Sequence, residues 1–289
     1  MAKKKKEEIR FAPTGIGDVN EGAVQKGVDL PAATDKTHKD LGLSEEQLLA
    51  MYEQMYLQRR FEERSMQQYQ KGKFGGFLHL YIGQEAISTG TTFALDDEDD
   101  IITAYRDHGW GLCRGISAKE GMAELFGKAT GSSRGKGGSM HFANAEKKFW
   151  GGYGIVGGHI PINAGFAFAN KYNANGNIST CFFGDGAEIV DRAKGYDMKS
   201  AVINGMDVFS VYEKMKEIAD DVRENSEPWF VEIRTYRYRG HSMSDPQKYR
   251  TKEELEEYQT IDPIQRLKTY ILEKELTNED QLKEIEDKV

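Results

Sequence analysis

At 289 residues the chain has the length for one substantial core with a small appendage. Its 38% hydrophobic and 30% charged content is that of a globular protein in water, and its longest apolar runs, such as 178–183, are far too short to span a membrane. A net charge of −8 argues against a nucleic-acid partner, so the Lys3–Lys6 run reads as a solvated arm.

Two cysteines, Cys113 and Cys181, are too few for a disulfide framework or a zinc site, and Cys181 falls in an apolar stretch that predicts a core position. The six histidines show no HExxH-like ligand spacing. The opening MAKKKKEEIR has no apolar segment behind its charges, unlike a secretory signal, and the expected location is cytoplasmic.

Residues 1–43 are expected to form an extended arm, being polar, aperiodic and interrupted by Pro13 and Pro31. A single α/β domain is expected over 44–289. Ser44-Glu45-Glu46-Gln47 has capping-box spacing and predicts a long helix with Leu48, Tyr52, Met55 and Tyr56 on one face, ending before Gly72. The loop Gly75–Tyr81 leads to a second predicted helix, Gln84–Leu95, and then a short strand, Ile101–Ala104. Ser117-Ala118-Lys119-Glu120 caps another helix. Gly131–Gly158 is glycine-rich and aperiodic, which predicts a functional loop. A helix over Ile160–Tyr172 precedes a buried-type strand, Ile178–Phe183, which ends in Gly184-Asp185-Gly186. A short helix (Ile189–Lys194), a strand (Ala201–Asn204), a helix (Val208–Arg223), a strand (Trp229–Tyr236) and charged C-terminal helices follow. Helices alternating with short strands imply a mostly parallel sheet covered on both faces, with ligands at the carboxyl ends of the strands.

Several motifs fall at those ends. Gly152-Tyr153-Gly154-Ile155-Val156-Gly157 fits GxGxxG, but the half-charged Lys147-Lys148-Phe149-Trp150 predicts no strand before it, and Tyr172–Gly176 offers no acid where a dinucleotide ribose would need one. A dinucleotide site is therefore rejected, and these glycines are expected to let backbone approach another ligand. Gly131–Gly138 looks suited to phosphate yet lacks P-loop spacing. Gly184-Asp185-Gly186 reads either as a plain turn or as a hard-cation site at a strand end. His241, within Tyr236–Pro246, is either an inert loop residue or a proton carrier. Arg106, within Tyr105-Arg106-Asp107-His108, is either half of a surface ion pair or an anion ligand.

Together these segments resemble one family. GFLHLYIGQEA (76–86), ITAYRDHG (102–109), GKGGSMH (135–141), GGYGIVGGHIP (151–161), GDGA (184–187) and YRYRGHSMSDP (236–246) are similar, in order, to alpha subunits of the first, decarboxylating component of 2-oxo acid dehydrogenases. The final loop looks like that of pyruvate enzymes rather than branched-chain ones. The resemblance runs from about Ser44 to the C-terminus and implies a thiamine-diphosphate-binding fold. It further implies thiamine diphosphate and Mg²⁺ as cofactors and pyruvate as substrate. The implied partners are a beta subunit, in an alpha2beta2 assembly, and a lipoyl-bearing acyltransferase component. Neither nucleic acid nor membrane is expected. Carried over to this chain, Tyr105 and Arg106 would hold the diphosphate, and Gly154 and Val156 would touch the cofactor through backbone. Asp185 would ligate Mg²⁺, with Gly186 and Ala187 beside the phosphates. His79 and His241 would line the substrate side, His241 serving proton or lipoyl-group transfer.

The chain departs from this pattern in one place. Family members follow GDG with a helix, a strand and an Asn-Asn pair that supplies a Mg²⁺ ligand. Here Ala187 runs directly into Glu188-Ile189-Val190-Asp191-Arg192, and no Asn-Asn occurs anywhere. One strand–helix unit plus a loop, about forty residues, is expected to be missing near 187–188. Smaller departures are His159, where many relatives have glutamine, and Lys248, where some carry a serine. The expected function is therefore that of a pyruvate dehydrogenase alpha subunit with a weakened cofactor site. The alternatives are a non-catalytic or defective paralogue that only assembles with the beta subunit, and an alpha subunit for acetoin or another 2-oxo acid.

Overall fold

The computed structural model describes residues 28–184 and 193–289. Helix α1 (Glu45–Gln70) starts as its sequence dictates: Ser44 Oγ accepts the Gln47 N–H, and Gln47 Oε1 accepts the Ser44 N–H. Its apolar face, Leu48, Met51, Tyr52 and Met55, is fully buried. Helix α2 (Glu85–Ala94) packs beside it, followed by strand β1 (Asp100–Ala104), helix α3 (His108–Cys113) and helix α4 (Ala118–Leu125), the last with the predicted Ser117–Glu120 capping box. Strand β2 (Phe149–Tyr153), helix α5 (Ile160–Asn173) and strand β3 (Ser179–Phe182) come next. Strand β4 (Lys199–Asn204), helix α6 (Val208–Asn225), strand β5 (Trp229–Arg234) and helices α7 (Lys252–Gln259), α8 (Pro263–Glu273) and α9 (Glu279–Lys288) complete the described elements.

Every described ladder is parallel, as expected for an α/β chain, but the strands form two sheets, β2-β1-β3 and β4-β5. β1 is buried along its whole length, whereas β3 and β5 are only half-buried. The main core lies among α1, α2, α6, α8 and α9, with Phe182 and Ile233 bridging to a second cluster around Trp110, Phe142 and Phe149.

The strand at Phe149–Tyr153 corrects the expectation that none precedes Gly152-Tyr153-Gly154. Lys147 and Lys148 belong to a turn, with Lys148 left-handed at φ 55°, and the strand is specified by its non-local pairing with β1. The dinucleotide reading still fails on the missing acid. Cys181 is half-buried rather than a core residue: among the described residues β3 has a neighbour on one side only, and burial still pushes the Cys181 thiol up to about 12. The predicted helix at Ile189–Lys194 lies outside the described residues except at its end, where Lys194–Tyr196 makes one 3₁₀ turn.

Residues 28–43 contain no helix or strand yet are fastened to the body. The Thr34 N–H donates to Ser210 Oγ at 2.9 Å, and Asn204 Nδ2 donates to the Pro31 carbonyl at 2.9 Å. Among the described residues no helix is long and apolar enough to cross a membrane.

Candidate functional site at the carboxyl edge of the first sheet

The register of the first sheet brings three strand ends to one edge. Ala104 pairs with Tyr153 and Thr103 with Phe182, so the residues that follow are Tyr105-Arg106 after β1, Gly154 after β2 and, a residue further along, Gly184 after β3. The predicted His79 and His241 join them from two loops. The His79 ring centroid lies 4.5 Å from that of Tyr105 and 5.3 Å from that of His241, and the Tyr105 and His241 centroids are 5.8 Å apart.

Arg106 is buried, which removes the surface ion-pair reading. It donates from Nη1 to the Leu80 carbonyl at 3.0 Å and from Nη2 to the His241 carbonyl at 2.6 Å, tying the two loops together. Its Nη2 also lies 3.4 Å from His241 Nδ1. The loops are further stitched by the Met243 N–H to the Leu78 carbonyl at 3.0 Å and the Tyr238 N–H to the Ile82 carbonyl at 3.0 Å. Asp245 shapes the turn that carries His241, accepting the His241 N–H at 2.6 Å, the Gln247 N–H at 2.9 Å and the Tyr249 hydroxyl at 2.8 Å. The Gln247 and His241 amides hold its carboxyl down at about 2.

Behind this edge lies a buried polar network that joins His108 and Ser139, each within one of the family-like motifs, to Glu62, which lies in none of them. His108 Nδ1 contacts Glu62 at 2.9 and 3.0 Å, and its Nε2 is 3.0 Å from Ser139 Oγ. Burial opposes the imidazolium, but the Glu62 charge and hydrogen bond outweigh it and raise the His108 pKa. Asp107 accepts the Phe142 N–H at 2.7 Å, and burial pushes its carboxyl up to about 8 despite the opposing pull of His108 and that amide.

Gly131–Gly138, read from sequence as suited to phosphate, is wrapped around a carboxylate of the chain itself. Glu124 on α4 accepts the N–H groups of Ser133 (2.8 Å), Gly135 (2.7 Å), Gly137 (2.7 Å) and Gly138 (3.0 Å). Backbone amides curled in this way form an anion nest, and here the anion is internal.

The GxGxxG glycines divide by cause. A Cβ on Gly152 would stand 2.1 Å from Asp107 Oδ2 and 2.6 Å from the Met140 carbonyl, so packing forbids any side chain there. A Cβ on Gly154 would meet nothing closer than His141 at 3.7 Å, so neighbouring atoms do not demand glycine at the strand end itself. Val156 lies exposed on the same loop. Asp185, Gly186 and Ala187, the predicted metal and phosphate residues, lie outside the described residues. Among the described residues no three His, Cys, Asp or Glu side chains group as a metal site.

The sequence matches the family model described as dehydrogenase E1 component over residues 53–189 and 187–289. The chain belongs to this family. It is 41% identical to the pyruvate dehydrogenase E1 component subunit alpha of Rickettsia bellii, over 84% of this chain and 88% of that protein. It is 40% identical to the Rhizobium meliloti subunit of the same name, over 85% and 83%, and 34% identical to that of Porphyra purpurea, over 91% and 90%. The family match restarts at 187–189. The Rickettsia bellii alignment is 286 positions long yet takes in 84% of a 289-residue chain, so about forty of its positions have no residue here. The two matched stretches meet between β3 and β4, where the chain passes from the first sheet to the second.

Proposed function

We propose that the chain is the alpha subunit of a pyruvate dehydrogenase, and that the carboxyl edge of the first sheet is the half-site it contributes for thiamine diphosphate. The observation that carries this reading is the convergence of His79, Tyr105, Arg106 and His241 beside the open backbone at Gly154. The residues present suit a diphosphate: a guanidinium, a phenol and a strand-end glycine with room above it. Arg106, pre-oriented by two carbonyls, and Tyr105 would hold the diphosphate, with Gly154 and Val156 offering backbone contact. Asp185 would ligate Mg²⁺, with Gly186 and Ala187 beside the phosphates. When bound, thiamine diphosphate supplies the electron sink for decarboxylation of pyruvate. His79, buried, and His241, exposed at the mouth, would face the substrate, with His241 placed to carry a proton during acyl transfer to a lipoyl arm.

A second chain is needed to complete such a site, and α5 supports its presence. This helix buries none of its residues, and Ile160, Ile162, Phe168 and Tyr172 are exposed, together with Ile155 and Val156 on the preceding loop. Apolar surface of that extent suits a subunit interface, here with a beta subunit in an alpha2beta2 assembly that also engages a lipoyl-bearing acyltransferase.

The break after β3 favours a second reading beside the first, an assembly partner with a weakened cofactor site. Titration calorimetry of thiamine diphosphate with Mg²⁺ into the chain co-purified with its beta subunit separates the two. Absent or millimolar binding by a folded complex is the expected result, since the Asn-Asn ligand is missing. Micromolar or tighter binding that is lost in Arg106→Gln would establish the full enzyme reading.

A further inference from the structure

Gly154 leaves a hollow at the end of β2, and one imidazole forms its wall. A Cβ built on Gly154 would lie 3.7 Å from both Cε1 and Nε2 of His141 and 3.9 Å from the Met140 methyl, the nearest atoms among the described residues. His141 therefore turns its Cε1–Nε2 edge toward the space that the glycine leaves open. Its other ring nitrogen is engaged. Nδ1 lies 2.8 Å from the Gly152 carbonyl, which can only accept, so Nδ1 carries a proton and donates it. Nε2 is then the free nitrogen, accepting when the ring is neutral and donating when it is charged. Among the described residues no group hydrogen-bonds to Nε2, and the residue is exposed.

The backbone that carries this ring is fixed on both sides. Ser139 Oγ lies 3.0 Å from Nε2 of the buried His108, and the Phe142 N–H donates to Asp107 at 2.7 Å. Ser133 Oγ donates to the His141 carbonyl at 2.6 Å, and Ser133 is itself held by Glu124 through its N–H at 2.8 Å. The internal carboxylate thus organises a loop whose far end is His141. A side chain on Gly137 would strike the His141 carbonyl, so this close approach requires the glycine. An exposed imidazole held in this way has little rotamer freedom left to lose on meeting a ligand.

The register sets this edge beside the residues proposed to hold the diphosphate. Ala104 pairs with Tyr153, so Tyr105 and Gly154 leave the ladder side by side, on strands spaced about 4.8 Å apart. We infer that His141 is a further diphosphate ligand of this half-site, reaching the phosphate oxygens from the β2 flank while Arg106 and Tyr105 reach them from β1. The charged ring presents one N–H to an anionic oxygen, and such an oxygen accepts several donors at once. Met140 lines the same hollow with an apolar methyl, which leaves the imidazole as its polar wall. The inference rests on the reading of this edge as a diphosphate half-site and adds a residue to it.

The test is a titration of the full chain with inorganic diphosphate and Mg²⁺ at constant ionic strength, following the histidine Cε1–H resonances by NMR. His141→Asn keeps an amide N–H for the Gly152 carbonyl and loses Nε2, whereas His141→Gln keeps a donor at the Nε2 position. The expected result is that the His141 resonance moves together with those of His79 and His241, with one apparent Kd in the millimolar range. Read from His79 and His241, that Kd should rise about tenfold in His141→Asn, the scale of one charge-assisted hydrogen bond, and less in His141→Gln. The urea midpoint of His141→Asn should stay at the wild-type value. Movement of His79 and His241 without His141, or His141→Asn binding as tightly as wild type, would overturn the inference and leave the half-site reading standing. Weaker binding by His141→Asn with a lowered midpoint and no recovery in His141→Gln would reduce the ring to a prop for the Gly152 carbonyl, which also overturns it. If no histidine moved in wild type, the half-site reading would fall and this residue's role with it.

Discussion

Glu124→Gln provides the most direct test of how the glycine-rich loop is organised. The wild-type carboxylate accepts four backbone N–H groups at 2.7–3.0 Å and is fully buried. A glutamine keeps one carbonyl oxygen for one pair of amides and turns an NH₂ group toward the other pair, leaving two donors facing a donor. Each unsatisfied buried N–H costs about 1–3 kcal/mol, and the two retained bonds lose the charge assistance that roughly doubles their strength. Part of the loop is half-exposed and can relax toward water, so the net loss should be about 2–4 kcal/mol, or roughly 3–7 °C in Tm for a chain of this size. Urea unfolding followed by circular dichroism measures the first, and scanning calorimetry the second. Hydrogen exchange should accelerate at 133–138 while β1 stays protected. A variant within 0.5 kcal/mol of wild type (about the scatter of a neutral surface change), with these amides still protected, would refute the internal-anion account.

Gly152→Ala should cost about 1–3 kcal/mol or more through overpacking against Asp107 and Met140, whereas Gly154→Ala should leave the unfolding midpoint unchanged. Equal midpoints for the two variants in the same urea titration would contradict the division made between these glycines. Asp107 keeps its proton to about pH 8 when folded but loses it near pH 4 when unfolded, so the unfolded state binds fewer protons across that window. Its contribution to stability must therefore fall as pH rises from about 4 to 8, by at most about 1.4 kcal/mol per pH unit. Asp107→Asn lacks this dependence and should give a flatter stability profile than wild type; parallel profiles would exclude it. Asp245→Asn should loosen the turn that carries His241, observed as sharper, more mobile His241 ring resonances in proton NMR with the global unfolding midpoint preserved.

What could be read in the sequence was local. The capping boxes at Ser44 and Ser117 involve residues three apart and appear in the structure as spaced. The site cluster was legible only through ordered family motifs, since no rule of spacing brings His79 beside Tyr105 or His241. What escaped was specified at a distance. β2 is a strand because β1 lies beside it, although its own sequence opens on two lysines in a turn. The Glu62–His108 pair spans 46 positions, and Glu124 reaches amides 9 to 14 residues ahead. One signal was available for Glu124: it shares the inward face of α4 with Gly121 and Leu125, an acid among core positions, opposite a run of glycines rich in free amides.

The two sides of the candidate site are held by different means, and this yields a prediction about their motions. Tyr105 and Arg106 follow a strand that is buried from end to end and paired on both sides, and Arg106 is clamped by the Leu80 and His241 carbonyls. β3 approaches the same edge with, among the described residues, one paired side and half-exposed residues, backed by α5, which buries none of its own side chains. Local opening is governed by how much packing and pairing a segment must give up, so β3 should open without β1. Native-state hydrogen exchange in low urea should show Ser179–Phe182 exchanging through a local, urea-insensitive route, and Asp100–Ala104 only through global unfolding. If both strands shared one urea dependence, the first sheet would be a single cooperative unit. If they separate, the residues proposed to hold the diphosphate keep their geometry while the strand leading to Asp185 moves independently. Loss of cofactor affinity would then be a defect of the metal side alone.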